Sequence, residues 1–283
     1  MNVLVLGSWR SGTSLTTSLI SSLGLDVGRL SDHIPADEYN PRGYFELHEL
    51  IEYSRTAVPR VFGPLLEKSG FTNTNWRDLP GLASVLDEGR SIWGGLRTSD
   101  SMVIKLPDGG GAPLEFWREV FGVPSAFVVP FRHPFEVASS RAKFRPEGPV
   151  TRRELVRQLY LWSRFHQVLL PQLNGSDVFF LEYGDLLAQP ARIADELFHA
   201  LQGWGVPVDD ANLSASADLV DPALYRNPVQ PLPHWFPRPR SARLYAQLRE
   251  LRCGHRNFSS VGVPTDGFDL YSRAIMKLYG DFE

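Results

Sequence analysis

A glycine- and serine-rich stretch near the start of the chain has the residue types that bind a phosphate group. It reads Gly7-Ser8-Trp9-Arg10-Ser11-Gly12-Thr13-Ser14 and follows a short apolar run. The two glycines allow tight turns. If a helix begins at the end of the stretch, the N–H groups of Ser11 to Ser14 have no partner within that helix and can donate to an anion. The stretch therefore predicts a phosphate-binding loop.

A second candidate for anion binding follows another apolar run, at 125–131. Arg132 comes directly after that run, Pro134 two residues later and Ser140 eight residues after Arg132. Arginine offers phosphate a planar fork of donors, and proline begins a helix without losing a needed N–H group. Ser140 would add a neutral donor two helical turns along. Lys105, which emerges from the apolar run at 102–106, is a further candidate cation.

The glycine spacing alone is also typical of proteins that bind nucleoside triphosphates. In their loop the second glycine is followed by a lysine that reaches the terminal phosphates, whereas Thr13 stands at that position here. Arg10 places the positive charge before the second glycine instead. The open alternatives are a P-loop kinase or nucleoside-triphosphate hydrolase, and a non-catalytic nucleotide-binding protein.

Both motifs resemble those of the sulfotransferases that use 3′-phosphoadenosine 5′-phosphosulfate (PAPS). The loop of that family has Lys or Arg, then Ser-Gly-Thr, then Ser or Thr, and Arg10 to Ser14 fits it without a gap. The segment of the family that binds the 3′-phosphate has the spacing of Arg132, Pro134 and Ser140. The resemblance implies transfer of a sulfuryl group from PAPS to an acceptor hydroxyl, with 3′-phosphoadenosine 5′-phosphate (PAP) as the second product.

The resemblance also implies a role for each matching residue. The loop would hold the 5′-phosphate, and Arg10 and Lys105 would act on the leaving oxygen and the sulfonate. Tyr183 belongs to a segment similar to the Tyr-Glu-Asp-Leu segment of the family and would lie near the adenine. The cofactor-binding set is Trp9, Arg10, Ser11, Gly12, Thr13, Ser14, Arg132, Ser140 and Tyr183, and the catalytic set is Arg10, Glu46 and Lys105.

Glu46 is the candidate catalytic base. It ends the segment Asn40-Pro41-Arg42-Gly43-Tyr44-Phe45-Glu46, which is similar to a segment of bacterial, carbohydrate and protein-tyrosine sulfotransferases that supplies an acidic base. Other members use the histidine of a Lys-x-His motif, but Pro107 stands at that position here. Asp108 and His48 are the alternative bases. The Asn40 to Glu46 segment favours a carbohydrate or a natural product as the acceptor.

The elements that must position these residues alternate along the chain. Strand-like runs at 2–6, 102–106, 125–131 and 178–182 are separated by helical patterns, among them a helix ended by Gly24 and one from Arg153 to Leu170. Such alternation predicts an α/β fold of the three-layer, P-loop-like kind, with a central parallel sheet flanked by helices and its ligand at the carboxyl edge. Loops are expected at 59–64, 107–113 and 228–240. We expect one domain over 1–283, with a loop and a helical extension from about 228.

Composition limits the remaining possibilities. The 283 residues carry a net charge of −3, which gives no reason to expect nucleic-acid binding. There is one cysteine, and the seven histidines show no zinc-like spacing, so no metal is expected. No basic leader and no membrane-spanning run is evident, so we expect a cytoplasmic protein. The acceptor and the oligomeric state stay open.

Overall fold

The computed structural model describes residues 1–68, 75–107, 111–143, 151–221 and 239–252. Its sheet has four strands, β1 (Asn2–Gly7), β2 (Val103–Pro107), β3 (Ser125–Phe131) and β4 (Val178–Glu182). They are arranged in the order β2-β1-β3-β4, and every neighbouring pair is parallel. The four predicted runs are confirmed to within one residue at each end.

The two inner strands explain why the sheet has helices on both faces. Every residue of β1 and of β3 is buried, as expected for strands of a parallel sheet that is covered on both sides. Along β1, Leu4 and Leu6 pack into one apolar cluster while Val3 and Val5 pack into another. The predicted α/β class, with a central parallel sheet between helices, is therefore confirmed.

Eleven α-helices are assigned within the described ranges. The helices are α1 (Thr13–Ser22), α2 (His48–Thr56), α3 (Val58–Lys68), α4 (Leu82–Leu96), α5 (Leu114–Phe121), α6 (Pro134–Lys143), α7 (Arg152–Leu169), α8 (Tyr183–Ala188), α9 (Pro190–Gly203), α10 (Leu213–Asp218) and α11 (Pro239–Arg252). Helix α1 is the next element after β1 and, together with α9, contributes seven of the seventeen buried side chains in the cluster on the Val3 face. Helices α2 to α5, α7 and α11 cover the Leu4 face.

One predicted loop is wrong. Residues 59–64 lie in α3, which begins at Val58. Pro59 falls in the first turn, where the missing N–H group costs nothing, and Val61 and Phe62 are buried against the Leu4 face. Burial of these two side chains therefore outweighs the helix-breaking composition of the stretch. Of the other predicted loops, 108–110 and 228–238 lie outside the described residues. The last two residues of the loop predicted at 228–240 begin α11, so the prediction is wrong there.

Helix α11 is the part of the predicted extension that the structure describes. Its Leu244, Leu248 and Leu251 are buried in the same cluster as the sheet. The hydroxyl of Tyr245 donates to Glu182, the last residue of β4, and Nε of Arg249 donates to the other carboxylate oxygen at 3.0 Å. This helix therefore fixes the carboxyl end of β4 next to Tyr183.

Candidate functional site

The loop between β1 and α1 has the geometry of an anion-binding turn. Gly12 precedes the first residue of α1 and has a φ of 91°, and Arg10 also lies in the left-handed region, with a φ of 69°. No side chain caps α1. The first N–H groups of the helix, those of Thr13 and Ser14, are therefore left for a ligand at the positive end of the helix dipole.

Ser11 departs from the prediction that its N–H group is unpaired. That group donates to the carbonyl of Ser8 at 3.2 Å, and the two serine Oγ atoms lie 2.7 Å apart in a hydrogen bond. Ser11 is fully buried. Ser11 lies between Arg10 and Gly12, the two residues with left-handed φ angles, where the chain reverses direction. Its hydrogen bonds are therefore made within the loop, and they stabilise the loop.

Tyr183 covers the loop from the side of β4. A Cβ atom placed on Gly12 would lie 2.4 Å from Cδ2 of Tyr183, so the ring and the loop backbone are in direct contact. The guanidinium of Arg132 lies over the same ring, with Cζ 4.8 Å from the ring centroid. Burial raises the pKa of Tyr183. The ring therefore packs between the two motifs that the sequence identified.

The two motifs also meet through their polar groups. Nε of Arg10 donates to Oγ of Ser140 at 3.1 Å, across 130 residues of sequence. Nε of Arg132 donates to Oε2 of Glu136, one turn along α6, at 2.5 Å, and both side chains are buried. Sequence reasoning missed Glu136, although its i,i+4 spacing from Arg132 could have signalled the pair.

Lys105 and Glu46 form a buried ion pair beside the loop. The Lys105 Nζ lies 2.8 Å from Oε1 of Glu46, and it donates to Oγ of Ser14 at 2.9 Å and to the carbonyl of Tyr44 at 2.8 Å. Lys105 is 4% exposed and Glu46 is 8% exposed. Burial lowers the pKa of Lys105, and the Glu46 carboxylate opposes that effect. The ammonium therefore has three acceptors in reach, one of which is a full negative charge.

Glu46 is the last residue of a closed loop, residues 34–46, which positions its side chain. Its ends are joined by the N–H group of Ile34, which donates to the carbonyl of Glu46 at 2.8 Å. Asn40 donates to Oγ of Ser14 at 2.9 Å, and the Tyr44 hydroxyl contacts both Asp37 carboxylate oxygens at 2.8 and 2.9 Å. The loop is thus tied to itself and to α1, and holds Glu46 toward Lys105.

These residues surround one cavity of about 560 Å³, a size typical of ligand sites. Except for Ser11, which lies within the loop, every predicted site residue lines it: Trp9, Arg10, Gly12, Thr13, Ser14, Glu46, Lys105, Arg132, Ser140 and Tyr183. His48, an alternative base, is exposed at the start of α2 and does not line the cavity. Asp108, the other alternative, lies outside the described residues.

The charge of the cavity is strongly positive although the chain is acidic overall. Among the described residues, seven cationic and three acidic side chains line it. Sequence reasoning missed Arg55, Arg141 and Arg157, because they lie on three helices and match no motif, and it gave no role to Arg42 of the Asn40 to Glu46 segment. The described residues contain no group of three histidines, cysteines or acids that could hold a metal ion.

Gln158 is a further missed residue. It is buried on α7, lines the cavity, and its Oε1 atom has no hydrogen-bond partner within the described part of the chain. A buried carbonyl oxygen without a donor is costly unless a ligand or water supplies one. Gln158 is therefore suited to accept a hydrogen bond from an N–H or O–H group of a ligand.

Within the described ranges, no helix has both the length and the apolar character needed to cross a lipid bilayer.

Comparison with protein-family models found none that matches the chain, and comparison with curated proteins found no match either.

Three solved structures similar to this chain are sulfotransferases. The sulfotransferase domain from the curacin biosynthetic pathway is 16% identical, with a TM-score of 0.48 over 87% of this chain and 96% of that domain. The sulfotransferase domain of the Synechococcus PCC 7002 olefin synthase is 16% identical, with a TM-score of 0.46, and the match covers 90% of this chain and 95% of that domain. A sulfotransferase from Mycobacterium tuberculosis H37Rv is 16% identical, with a TM-score of 0.39, and the match covers 77% of this chain and 70% of that protein. These likenesses carry no argument about the chain, and its own residues must carry any assignment of function.

Proposed function

We propose that the protein is a sulfotransferase that moves the sulfuryl group of PAPS to a hydroxyl group of an acceptor, a carbohydrate or a natural product. One observation carries the proposal. The Arg10 to Ser14 loop and the Arg132 to Ser140 segment, which resemble the two donor-binding motifs of that family, line the same cavity and are joined by the Arg10–Ser140 hydrogen bond.

The cavity fits a donor with two separate anionic groups. The uncapped start of α1 suits the 5′-phosphate, because its N–H groups and the helix dipole both favour negative charge. Arg132 and Ser140 suit the 3′-phosphate, the group that distinguishes this donor from adenosine 5′-phosphosulfate. Tyr183 is the candidate for contact with the adenine. The excess of cations in the cavity suits the total charge of such a donor.

The Glu46–Lys105 pair suits the proton and charge movements of the reaction. The bound cofactor supplies the sulfuryl group. Glu46 takes the proton of the acceptor hydroxyl and becomes neutral, so the carboxylate charge that faces Lys105 disappears. The charge of Lys105, together with that of Arg10, is then available to stabilise the negative charge on the leaving phosphate. Side-chain cations would do here what Mg²⁺ does in phosphoryl transfer.

Binding of PAP tests the donor assignment. We expect metal-free titration calorimetry to show micromolar binding of PAP and, because the 3′-phosphate contacts are lost, at least about tenfold weaker binding of AMP. Arg132→Ala should weaken PAP binding by about the same factor and leave AMP binding unchanged. Arg90 is an exposed residue of α4, and Arg90→Ala should leave the affinities for both PAP and AMP unchanged.

Two further arms separate the alternatives. Because Arg132→Ala leaves the buried Glu136 without its partner, Arg132→Ala/Glu136→Ala serves as the matched variant, and Glu136→Ala alone should still prefer PAP over AMP. ATP–Mg²⁺ that binds as tightly as PAP would return the chain to the kinase or hydrolase alternative. PAP binding with no sulfated product from PAPS and any acceptor would leave a non-catalytic nucleotide-binding protein.

The lowered pKa of Lys105 predicts a pH effect. Because burial disfavours the ammonium form, Lys105 loses its proton at a lower pH than an ordinary lysine, and kcat/KM should fall as the pH rises through that value. Lys105→Arg keeps its charge at every accessible pH. We expect the Lys105→Arg variant to have a lower kcat/KM than the wild type, and the alkaline limb of its kcat/KM profile to lie at higher pH. An unchanged limb in a variant that still binds PAP would show that another group titrates there.

A further inference from the structure

The hydroxyl group of Ser14 accepts hydrogen bonds from two side chains. Nδ2 of Asn40, in the closed loop at 34–46, donates to Oγ of Ser14 at 2.9 Å, and Nζ of Lys105, in β2, donates to the same atom at 2.9 Å. A serine hydroxyl has two acceptor lone pairs and one O–H donor. Both lone pairs of Ser14 are therefore used, so its hydroxyl can act toward a further group only as a donor.

The proton of this hydroxyl has only a distant acceptor among the described residues. The carbonyl oxygen of Tyr44 lies 3.4 Å from Oγ of Ser14, beyond the usual range of an O–H···O hydrogen bond, and it already accepts from Lys105 at 2.8 Å. Ser14 lines the cavity, and its N–H group is one of those at the uncapped start of α1. The O–H group is thus available to an oxyanion held at the same end of the helix.

Lys105 strengthens this donor. An ammonium group has three N–H donors, and the three acceptors of Lys105 are Oγ of Ser14, the carbonyl of Tyr44 and the Glu46 carboxylate. A hydroxyl that accepts from a cation becomes a stronger donor itself, because the hydrogen bonds of a chain polarise one another. Asn40 fills the second lone pair, which leaves the O–H bond one direction in which to point.

The loop holds Asn40 in place without using its side chain. The backbone N–H group of Asn40 donates to Oδ1 of Asp37 at 2.9 Å, and the same carboxylate accepts from the hydroxyl of Tyr44. The backbone hydrogen bond from Ile34 to Glu46 closes the loop. Removal of the Asn40 amide should therefore leave the loop folded and change only what the amide contacts.

We propose that Asn40 is a positioning residue of the donor site, which orients the hydroxyl of Ser14 toward the 5′-phosphate of the bound donor. Asn40 acts through Ser14, because its amide fixes the direction in which the hydroxyl donates. This assignment rests on the proposed function, because the donor supplies the anion that the hydroxyl meets.

The test is titration calorimetry with PAP and with adenosine 3′-phosphate, which lacks the 5′-phosphate. Asn40→Ala should weaken PAP binding about three- to tenfold, because a charge-assisted hydrogen bond loses its alignment. It should leave binding of adenosine 3′-phosphate unchanged, which also shows that the variant is folded. Ser14→Ala should weaken PAP binding about tenfold or more, and adding Asn40→Ala to it should cause no further loss.

Tyr44→Phe is the matched control for a general effect on the loop. It removes the hydroxyl that contacts Asp37 and keeps the backbone carbonyl beside Ser14. Any loss of PAP affinity that Tyr44→Phe causes should be the same in the Ser14→Ala background as in the wild type, because this change does not act through the Ser14 hydroxyl.

Three results would overturn the role of Asn40. They are unchanged PAP binding by Asn40→Ala, an equal loss of affinity for PAP and for adenosine 3′-phosphate, and a loss of PAP affinity that persists in full in the Ser14→Ala background. Failure of the wild type to bind PAP would instead contradict the proposed function, and with it the positioning role.

Discussion

Replacing Glu46 by glutamine is expected to lower kcat for sulfuryl transfer by about 10²- to 10⁴-fold, the range typical of a lost general base. Glutamine keeps the size of the side chain and an acceptor oxygen for Lys105, but it cannot take the acceptor proton. PAP affinity should change little, because the role proposed for Glu46 is to act on the acceptor and not on the donor. Initial rates with saturating PAPS and PAP titration of the same variant measure both quantities.

Two comparisons make the Glu46 result specific. Glu49→Gln changes an exposed acid one turn away, on α2, and should behave as the wild type. Glu46→Asp keeps a carboxylate that is one methylene shorter and should recover part of the rate. A Glu46→Gln variant that transfers sulfuryl groups as fast as the wild type would show that the base lies elsewhere, and Asp108 and His48 would then be changed next.

Replacing Gly12 by alanine is expected to weaken PAP binding by at least about 100-fold, through two physical effects at one residue. The φ of 91° is unfavourable for any residue with a Cβ atom. The new Cβ atom would also lie 2.4 Å from Cδ2 of Tyr183, so the ring or the loop must move. Movement of the loop misplaces the first N–H groups of α1, and movement of the ring removes the contact that covers them. Calorimetric titration with PAP measures the loss.

Gly122→Ala separates the two effects. Gly122 also has a left-handed φ, of 66°, but a Cβ atom there meets no heavy atom within 4 Å, and Gly122 does not line the cavity. The Gly122→Ala substitution should lower the thermal stability of the protein slightly and leave PAP binding unchanged. If Gly12→Ala loses no more PAP affinity than Gly122→Ala does, the contact between Tyr183 and the loop is not needed for donor binding.

The sequence was sufficient to predict the sheet and the position of the two candidate donor motifs, because both depend on local patterns. A fully buried parallel strand is a continuous apolar run, and the motif residues follow such runs directly, so their position at the carboxyl edge could be predicted. The prediction for 59–64 was wrong because burial of Val61 and Phe62 against distant residues decided the structure there. Local composition contains no information about that burial.

The rest of the candidate site depends on contacts between distant parts of the chain. The pairing of Lys105 with Glu46 needs the closed loop at 34–46, whose ends meet through a backbone hydrogen bond that has no sequence signal. Likewise, Arg55 and Arg141 become neighbours of Trp9 only through the packing of α2 and α6. A single sequence marks each of these arginines as an ordinary helix residue.

The strand order β2-β1-β3-β4 has a consequence for how the protein reaches its folded state. Residues 8–102 are made between β1 and the first of its two partners, so the nascent chain carries an apolar strand with two open edges throughout that stretch of synthesis. The loop between β1 and α1 gains its cover only when Tyr183 has emerged. Pairing over such distances is slow, and the growing chain is therefore expected to depend on a chaperone until β2 and β3 have been made.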